Sequence, residues 1–401
     1  MQFENAYIPY GAYWSTPFCK WQGSLAGSHP ILLAAEVGKE VLEEKGIAGE
    51  CVDALCLGTT IPSLHGFYGA PWLAGLMGMP QATGTTISQA CATSVRSLVH
   101  AAEEISHDAA KVFLAVTADR TSNGPHLYYP NPAGPGGTGK AENWVMDNFT
   151  FDPHARGSMI QTAENVASES GISREEQDAV SQLRFEQYQN ACADDASFHR
   201  RYMRLPLEIK GSRGRIVASI EKDEGVFPTT AEGLAKLKPV LEGGSVTFGS
   251  QTHPADGNAG MILTSEEMVD EIGSDDAVRI RLVSYGQARV KKGFMPMANV
   301  PASKSALSRA GIGIGDVKVV NTHNPFAVND IFFAREMGLS NDALNRYGSS
   351  LVWGHPQAPT GVRAIIEMIE ELVLLGGGFG LFTGCAAGDS AAAVVVEVSG
   401  K

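Results

Sequence analysis

The sequence predicts an α/β protein in which two similar halves flank a loop-rich insertion. Helical and strand-like segments alternate before about residue 120 and again after about residue 269. From about residue 123 to residue 245 the chain is instead rich in proline, glycine, asparagine and other polar residues. The segment that starts at Thr93 also matches, without a gap, the segment that starts at Thr360, 267 positions later. Together these observations predict a duplicated α/β unit.

The first half contains four predicted elements. The spacing of apolar residues predicts one helix over about 30–46 and another over about 92–106. Runs of apolar and β-branched residues predict a strand near 53–58 and a buried strand over 111–118. This alternation is typical of layered α/β proteins.

The insertion and the second half continue the pattern. Ser173 and Glu176 have the spacing of a capping box, which predicts a helix start inside the insertion. The predicted strands and helices of the second half cover 278–286, 303–312, 317–323, 325–338, 359–375, 379–384 and 391–399. The apolar stripes of the two matching helices have the same phase, with Val95 over Val362, Leu98 over Ile365, Ala102 over Ile369 and Ile105 over Leu372.

Size and charge exclude several classes of protein. A chain of 401 residues exceeds the ~250–300 residues at which single cores stop growing, so more than one packed unit is expected. The net charge of −13 argues against nucleic acid as a partner, because nucleic acid binding rewards clustered lysine and arginine. No window holds the ~18 apolar residues of a membrane span, and the first residues do not follow a signal-peptide pattern. We therefore expect a cytoplasmic protein.

The six cysteines form no CxxC pair and no dense framework, so reduced thiols and no metal site are expected. Cys51 and Cys56 are expected to be buried apolar residues. Cys91 differs, because it lies just before the predicted helix at 92–106. Unpaired backbone N–H groups at a helix start favour a thiolate, so an exposed Cys91 would have a lowered pKa and high reactivity. The alternative is a small packing residue.

Three further residues follow predicted strands or precede the matching helix. His355 lies in a turn before the helix at 359–375, so the duplication places it at the same end of the fold as Cys91. Cys385 and His323 each end a predicted strand near that end. A cysteine and histidine constellation of this kind suits acyl transfer, although each histidine alone is as easily a structural hydrogen-bonding residue.

Several stretches resemble the thiolase family, in the order that the family has them. "QACATS" resembles its nucleophile motif, "GHPQAPTG" its histidine motif and "GCAAG" its second-cysteine motif; "MIQTAENVASESGISREEQD" and "GSVTFGSQTHPADGNAG" resemble supporting stretches. The resemblance implies a five-layered αβαβα fold with active sites built in dimers. It implies an N-terminal half of residues 1–122 that is completed by residues 246–268. It also implies a loop domain of residues 123–245 that holds coenzyme A, and a C-terminal half of residues 269–401.

The resemblance also implies a ping-pong reaction that cleaves a 3-oxoacyl-CoA. Cys91 would attack the keto carbonyl with His355 as proton acceptor, and Cys385 would protonate the released acyl-CoA enolate. His355 and His323 would serve the thioester oxygen, and the backbone N–H groups of Cys91 and Ala387, supported by Gly388 and Asn324, would serve the tetrahedral oxyanion. Coenzyme A is then a substrate, with no tightly bound cofactor and no metal.

The chain departs from the common family pattern at three places. His323 replaces the usual asparagine, as in the sterol-carrier-type branch, where a histidine would donate directly; the "HNPF" form with Asn324 is less usual still. Ala387 replaces a glycine, which would strain an oxyanion hole that needs a positive φ. Trp353, with "HGFYGAP" and "HLYYPNP", suggests an aromatic acyl pocket, although loop aromatics more often serve packing.

This combination looks most similar to thiolases of aromatic degradation, which would cleave a substrate such as (S)-2-benzoylsuccinyl-CoA into benzoyl-CoA and succinyl-CoA. A homodimer core with a small zinc-ribbon/OB-fold companion protein is then expected. Coenzyme A phosphates would meet Lys210, Arg213 and Arg215, unless these form a solvated hairpin face. Thr252 stands where the family has a serine that lines the pantetheine tunnel.

Other functions remain open on the residues alone. Residues 134–141, "GPGGTGKA", match GxxxxGK, but Ala141 stands where a nucleotide-binding loop needs serine or threonine. Condensing enzymes of the same fold share the nucleophilic cysteine but lack the second one, so Cys385 favours a thiolase. A biosynthetic acetyl-CoA acetyltransferase uses the same residues in the opposite direction, and a catalytically silent thiolase-like subunit would lack one of the catalytic groups.

Overall fold

The computed structural model describes residues 1–275 and 277–400, and in them two β-sheets carry the fold. The strands, in chain order, are β1 (Tyr13–Ser15), β2 (Cys19–Lys20), β3 (Ala54–Gly58), β4 (Thr83–Ile87), β5 (Val112–Arg120), β6 (His126–Tyr129), β7 (Lys140–Asn143), β8 (Leu207–Lys210), β9 (Ile216–Ile220), β10 (Ala255–Thr264), β11 (Val278–Arg289), β12 (Val317–His323), β13 (Gly378–Ala386) and β14 (Ser390–Gly400). The α-helices are α1 (Pro30–Glu44), α2 (Gly69–Leu76), α3 (Thr93–Ser106), α4 (Trp144–Thr150), α5 (Met159–Ser170), α6 (Arg174–Ala196), α7 (Ala231–Ala235), α8 (Val269–Ile272), α9 (Asn299–Ala310), α10 (Ala327–Met337), α11 (Ser350–Trp353) and α12 (Pro359–Leu374).

The two sheets have the same strand order. The first runs β1-β10-β5-β3-β4, with β2 beside β10, and the second runs β11-β14-β13-β12. In each sheet the central strand, β5 or β13, has a parallel neighbour on one side and an antiparallel neighbour on the other. At the far edge, β4 of the first sheet is matched in the second sheet only by an isolated parallel bridge between Val320 and Leu344. The predicted duplication is therefore confirmed at the level of topology.

The sheets stack with helices into five layers. Alternating residues of β5 face opposite ways, so that Leu114 packs with α1 and α2 while Phe113 packs with α3 and α12. The second sheet covers the other side of α3 and α12 and packs its outer face against α9 and α10. The order helix, sheet, helix, sheet, helix is the predicted αβαβα architecture, which is confirmed.

The matching helices meet at equivalent positions. Ser94 of α3 and Gly361 of α12 are 267 positions apart, and a Cβ at Gly361 would lie 2.8 Å from the Ser94 Cβ. Only glycine allows so close an approach at this crossing. A hydrogen bond from Ser94 Oγ to the Ala358 carbonyl joins the two helix starts.

The insertion forms two short hairpins, β6–β7 and β8–β9, and helices α4 to α7 before β10 returns to the first sheet. The capping box of α6 is present, because Ser173 Oγ accepts from the Glu176 N–H and the Glu176 carboxylate accepts from the Ser173 N–H. Residues 134–141 turn from β6 into β7, and no helix starts at Ala141, so the nucleotide-loop alternative does not hold. No helix in the described part of the chain combines the length and apolar character that crossing a membrane requires.

The six cysteines are free thiols. Cys56 is buried in β3 as expected, but the expectation for Cys51 was wrong. It is exposed at the end of a single 3₁₀ turn, Gly49–Cys51, because the chain leaves the core between α1 and β3.

A buried ion pair ties the insertion to the central helix α12. The Arg363 guanidinium binds both carboxylate oxygens of Asp223 at 2.5 and 2.8 Å, and neither side chain is exposed. The ring of Trp353 lies 4.4 Å from the guanidinium carbon, and Phe18 lies on the same cation at 4.9 Å. The pKa of Asp223 stays below its usual range: burial is the largest single effect and opposes this, but the charge and hydrogen bonds of Arg363, with His199 and the Phe18 N–H, together outweigh burial.

Arg363→Met tests this pair. Removal of the cation leaves Asp223 buried without a counter-charge, so we expect the free energy of unfolding to fall by about 3–5 kcal/mol. Urea denaturation followed by circular dichroism measures the change. Lys39→Met is the matched control, because Lys39 pairs with Glu43 at 3.8 Å on an exposed helix face and should change stability by less than about 0.5 kcal/mol. Equal effects of the two substitutions would contradict this assignment.

Candidate active site

Cys91 occupies a tight turn between β4 and α3. Ala90, just before it, has a left-handed backbone with φ of 47°. Thr93 holds this turn, because its hydroxyl donates to the Ala90 carbonyl at 2.6 Å and accepts from the Gln89 N–H at 2.8 Å. The turn directs a partly buried Cys91 to the ends of the two sheets.

The thiol of Cys91 is not activated in this structure. Burial raises its pKa to about 11, although hydrogen bonds from the backbone N–H groups of Ala387 and of Cys91 itself act in the lowering direction. The expected lowering of this pKa by the helix start was therefore wrong: the loss of water around the sulfur outweighs the N–H groups. The same two N–H groups are those expected to hold the tetrahedral oxyanion.

His355 lies in the turn that corresponds to that of Cys91. Gln357 has a left-handed backbone with φ of 69° and stands 267 positions after Ala90, so the duplication extends to the loop geometry. Thr360, the counterpart of Thr93, holds the His355 Nδ1 at 2.6 Å through its hydroxyl. The His355 N–H donates to the His253 carbonyl at 2.9 Å, which fixes the backbone of the turn.

His323 ends β12 and lies against His355. The two ring centroids are 4.0 Å apart with an interplanar angle of 30°. Burial lowers the pKa of His323 to about 3, and burial together with His323 lowers the pKa of His355 well below its ordinary value. Both imidazoles are therefore neutral near pH 7, and in the described residues neither Nε2 has a hydrogen-bond partner.

The hydrogen bonds around Ser350 assign the tautomer of His323. Ser350 Oγ lies 2.8 Å from His323 Nδ1, accepts from the Asn324 N–H at 3.2 Å and donates to Asn324 Oδ1 at 3.1 Å. The Ser350 hydroxyl has one hydrogen, and it donates that hydrogen to Asn324 Oδ1. The contact with His323 is therefore a hydrogen bond only if His323 Nδ1 carries a proton and donates it to Ser350 Oγ. His323 Nε2 then presents a lone pair to the site, which differs from the direct donor that the resemblance implied.

Cys385 completes the cluster from the end of β13. It is fully buried, and the Asn329 amide donates to its sulfur at 3.2 Å. Burial raises the pKa of Cys385 well above its ordinary value, and the neighbouring Cys91 adds to the shift. The Cys91 sulfur and ring nitrogens of His323 and His355 all lie within 4.8 Å of one another. The structure therefore brings together the four residues expected to be catalytic.

The expected supporting residues divide into two groups. Ala387 and Gly388 form the turn after β13, with φ of 81° at Gly388, while Ala387 itself does not have a positive φ. The expected backbone strain at Ala387 is therefore absent, because the positive φ falls on Gly388 and not on Ala387. Asn324 faces away from the sulfur: its amide donates to Asp330 at 2.6 Å and its oxygen holds Ser350. It supports His323 through Ser350.

Gln357 contacts the nucleophile directly. The Cys91 thiol donates to Gln357 Oε1 at 3.4 Å, and the Gln357 residue is buried. Asp119 fixes the adjacent backbone by accepting from the Ala358 N–H at 2.9 Å. Burial raises the pKa of Asp119 to about 6, although hydrogen bonds from Ala358 and Thr60 hold it down. In the resting site the thiol proton therefore points to Gln357 and not to His355.

Of the residues expected to bind coenzyme A, three lie on the β8–β9 hairpin and one lies beside the catalytic loops. Lys210 on β8 pairs with Glu36 at 2.8 Å and Glu40 at 3.4 Å on α1, so its charge is already compensated. Arg213 and Arg215 are exposed in the β8–β9 turn. Thr252 lies beside the catalytic loops, because its N–H donates to the Pro325 carbonyl at 2.8 Å and its hydroxyl to the Ser350 carbonyl.

The aromatic residues named above divide between the core and the surface of the described chain. Trp353 is fully buried and packs edge-on against Phe18 at 5.3 Å, so it serves the core. Phe67, in "HGFYGAP", is 95% exposed, and Tyr128, in "HLYYPNP", is 60% exposed. The suggested aromatic acyl pocket therefore has no support from these residues.

Comparison with known proteins agrees with this geometry. Residues 12–267 match the thiolase N-terminal domain and residues 277–398 match the thiolase C-terminal domain. The chain belongs to the thiolase family. It is 30% identical to an acetyl-CoA acetyltransferase of Chromobacterium violaceum, covering 94% of this chain and 96% of that one. It is 31% identical to a β-ketoadipyl-CoA thiolase of Escherichia coli, covering 95% and 97%.

A solved thiolase has the same fold. Human mitochondrial 3-ketoacyl-CoA thiolase in complex with CoA superposes with a TM-score of 0.88 at 27% identity, covering 99% of each chain. This thiolase is therefore an acyltransferase of the 3-oxoacyl-CoA thiolase or acetyl-CoA acetyltransferase type. Coenzyme A is its substrate.

Five residues that hold the groups expected to be catalytic were not predicted from the sequence. They are Ser350, Thr360, Asn329, Gln357 and Asp119. Two of them had a usable signal: Thr360 is the counterpart of Thr93 under the 267-residue shift, and Gln357 lies inside the quoted histidine motif. The other three depend on side chains that meet only in the folded thiolase.

Gln357→Met tests the thiol contact. An acceptor for the S–H proton stabilises the neutral thiol, so its loss should lower the pKa of Cys91 and raise the rate of alkylation by iodoacetamide about two- to tenfold at pH 8. In the unmodified protein the rate should rise about tenfold per pH unit between pH 7 and 10, because the pKa is about 11.

Mass spectrometry of the Cys91 peptide measures this rate. Gln89→Met is the matched control, since Gln89 lies two residues from Cys91 but accepts from Arg96. A slower reaction of Gln357→Met would mean that the amide N–H stabilises the thiolate, which is the opposite arrangement.

Proposed function

We propose that this thiolase cleaves a 3-oxoacyl-CoA with coenzyme A through an acyl intermediate on Cys91. The observation that carries the proposal is the cluster in which the Cys91 sulfur and the histidine ring nitrogens lie within 4.8 Å, beside the buried Cys385. A nucleophile, a neutral base and a second thiol acid in one enclosed site are what this chemistry requires.

The first half-reaction forms the acyl enzyme. His355 Nε2 takes the thiol proton, and the Cys91 sulfur bonds to the keto carbon, whose oxygen becomes an oxyanion facing the N–H groups of Cys91 and Ala387. The C2–C3 bond then breaks, and its electron pair moves into the acyl-CoA enolate. Cys385 gives its proton to C2, so acyl-CoA leaves and Cys385 remains as a thiolate.

The second half-reaction restores the enzyme. Cys385 takes the proton of the coenzyme A thiol, and the coenzyme A sulfur attacks the acyl group on Cys91. The Cys91 sulfur leaves and recovers its proton from His355. In the first half-reaction the protonated His355 donates a hydrogen bond from Nε2 to the enolate oxygen. His323 can donate to that oxygen only when its own Nε2 carries a proton.

We propose that residues 123–245 hold coenzyme A and that Thr252 lies at the entrance to the catalytic loops. Its hydrogen bonds to Pro325 and Ser350 support this place. Arg213 and Arg215 are the exposed cations available for the adenosine phosphates, whereas Lys210 would first have to leave Glu36 and Glu40.

For the substrate we propose a 3-oxoacyl-CoA that carries a polar substituent, with (S)-2-benzoylsuccinyl-CoA as the specific candidate; its benzoyl group would be carried by Cys91, and its carboxylate would leave with succinyl-CoA. The Gln357 amide at the nucleophile supports a carboxylate or carbonyl in the substrate, and the "HNPF" resemblance to the sterol-carrier-type branch supports the aromatic candidate. A similar protein is named for β-ketoadipyl-CoA. Simple 3-oxoacyl-CoA cleavage and acetyl-CoA condensation use the same residues.

Intact mass after brief incubation with 3-oxoacyl-CoAs tests the reaction. The panel contains acetoacetyl-CoA, 3-oxoadipyl-CoA and (S)-2-benzoylsuccinyl-CoA. We expect one acyl adduct, mapped to Cys91, whose mass identifies the acyl half. Cys91→Ala should abolish the adduct and thiolysis, while Cys51→Ala, a change at an exposed cysteine, should change neither.

The outcome also separates the alternatives. An adduct that retains the whole 3-oxoacyl group, formed by exchange of the thioester with release of coenzyme A and without cleavage of the C2–C3 bond, would favour a condensing enzyme. No adduct, either alone or with the zinc-ribbon/OB-fold companion that the resemblance implies, would contradict the proposal and favour a silent subunit.

We also propose that the functional unit is a homodimer joined along β4. This strand is the exposed edge of the first sheet, and an edge with free N–H and C=O groups is a template for pairing. Phe67 and Tyr68 are exposed next to it, because Gly69 packs on Thr86 of β4. Analytical ultracentrifugation should give the mass of two chains; a single-chain mass at micromolar concentration would contradict this interface.

A further inference from the structure

We propose that Cys91, His323 and His355 form a binding site for a soft divalent cation, of which Zn²⁺ is the best match, and that the cation reversibly blocks the nucleophile. Thiolate and neutral imidazole are the ligands that zinc prefers. The three ligand atoms lie within 4.8 Å of one another, and within residues 1–275 and 277–400 this is the one group of three such side chains. The site goes beyond the proposed acyl transfer, because it needs no acyl substrate.

The nitrogen ligands are free to bind a cation. His323 Nε2 and His355 Nε2 are buried, and in the described part of the chain neither has a hydrogen-bond partner. In His323 the Ser350 network leaves the lone pair on Nε2. His355 offers the same lone pair when its Nδ1–H donates to Thr360. Buried ring nitrogens without partners, beside a sulfur, are atoms that a cation can satisfy.

The outer shell of a metal site is already present. Histidines that bind zinc usually hold their second ring nitrogen in a hydrogen bond, which fixes the ring and its tautomer. His323 Nδ1 has Ser350 at 2.8 Å, and His355 Nδ1 has Thr360 at 2.6 Å. Both rings are thereby aimed at Cys91 before any cation arrives.

The distances allow closure with small movements. Zinc binds nitrogen at about 2.0–2.1 Å and sulfur at about 2.3 Å, so neighbouring ligand atoms of a tetrahedral site lie roughly 3.3–3.8 Å apart. From separations of at most 4.8 Å, shifts of about 1 Å suffice. Three protein ligands leave the fourth position for water, as in zinc sites that are not structural. Because the cation uses the Cys91 sulfur, cation and acyl group exclude each other.

Cobalt titration of the full-length protein tests the site. The protein is treated with a chelator, transferred to buffer without thiols and titrated with Co²⁺ while the absorption spectrum is recorded. We expect one equivalent to bind, with a near-ultraviolet cobalt–thiolate band and visible bands of a tetrahedral ion, and Zn²⁺ to remove both. Absence of the thiolate band at one equivalent would overturn the inference.

Substitutions identify the ligands. Cys91→Ser should abolish the thiolate band, and His323→Asn should weaken Co²⁺ binding by at least about tenfold, as should Ser350→Ala through the loss of its support. Cys51→Ser is the matched control and should bind as the unmodified protein does. A thiolate band that survives Cys91→Ser, or that disappears in Cys51→Ser, would place the cation elsewhere.

A second measurement needs no variant. One equivalent of Zn²⁺ should protect Cys91 from iodoacetamide in the unmodified protein, and a chelator should restore the reaction. If iodoacetamide modified Cys91 equally fast with and without Zn²⁺, the inference would be overturned, even if every variant failed to fold. Since neither experiment contains an acyl-CoA, failure here leaves the acyl-enzyme test unaffected, and failure of that test leaves cation binding intact.

Discussion

The active site depends on the close contact between α3 and α12. These helices are the two copies of the duplicated unit, and they cross where Ser94 meets Gly361 with no room for a further Cβ. Because each copy begins near this crossing, the two preceding turns lie side by side. One turn carries Cys91 and the other carries His355, so the proposed nucleophile and the proposed base, from distant parts of the chain, become neighbours through one packing contact.

The two turns keep the same geometry but have different chemistry. Ala90 and Gln357 share the left-handed backbone, and Thr93 and Thr360 share the role of a hydroxyl that holds the turn. In the first copy that hydroxyl binds backbone, whereas in the second it binds the imidazole of His355. Equivalent hydroxyls therefore hold a backbone turn in one copy and the proposed base in the other. The third residue proposed to be catalytic, His323, has its own support in Ser350, which in turn depends on Asn324 and Asp330.

Local sequence patterns predict much of this fold but not the state of the site. The start of α6 follows from Ser173 and Glu176, and α12 follows from the repeated apolar stripe, because both signals lie within a few turns of one helix. The motifs also locate Cys91, His323, His355 and Cys385. The raised pKa of Cys91 cannot be predicted from these local patterns, because it depends on how fully distant segments of the chain exclude water from the sulfur. For the same reason the Glu36 partner of Lys210 and the buried place of Trp353 appear only in the folded chain.

Cys91, His323 and His355 are all uncharged at rest, and this constrains how the site can work. Burial raises the pKa of Cys91 and lowers those of His323 and His355, so the proton stays on sulfur. In the proposed reaction, proton transfer to His355 creates a thiolate and an imidazolium in a buried site, where the N–H groups of Ala387 and Cys91 do not fully offset the loss of water around the sulfur. Attack on the substrate carbonyl would then move the negative charge from the sulfur to an oxygen that faces the same N–H groups. The proposed mechanism therefore makes the thiolate a transient species, formed as the substrate carbonyl accepts its charge.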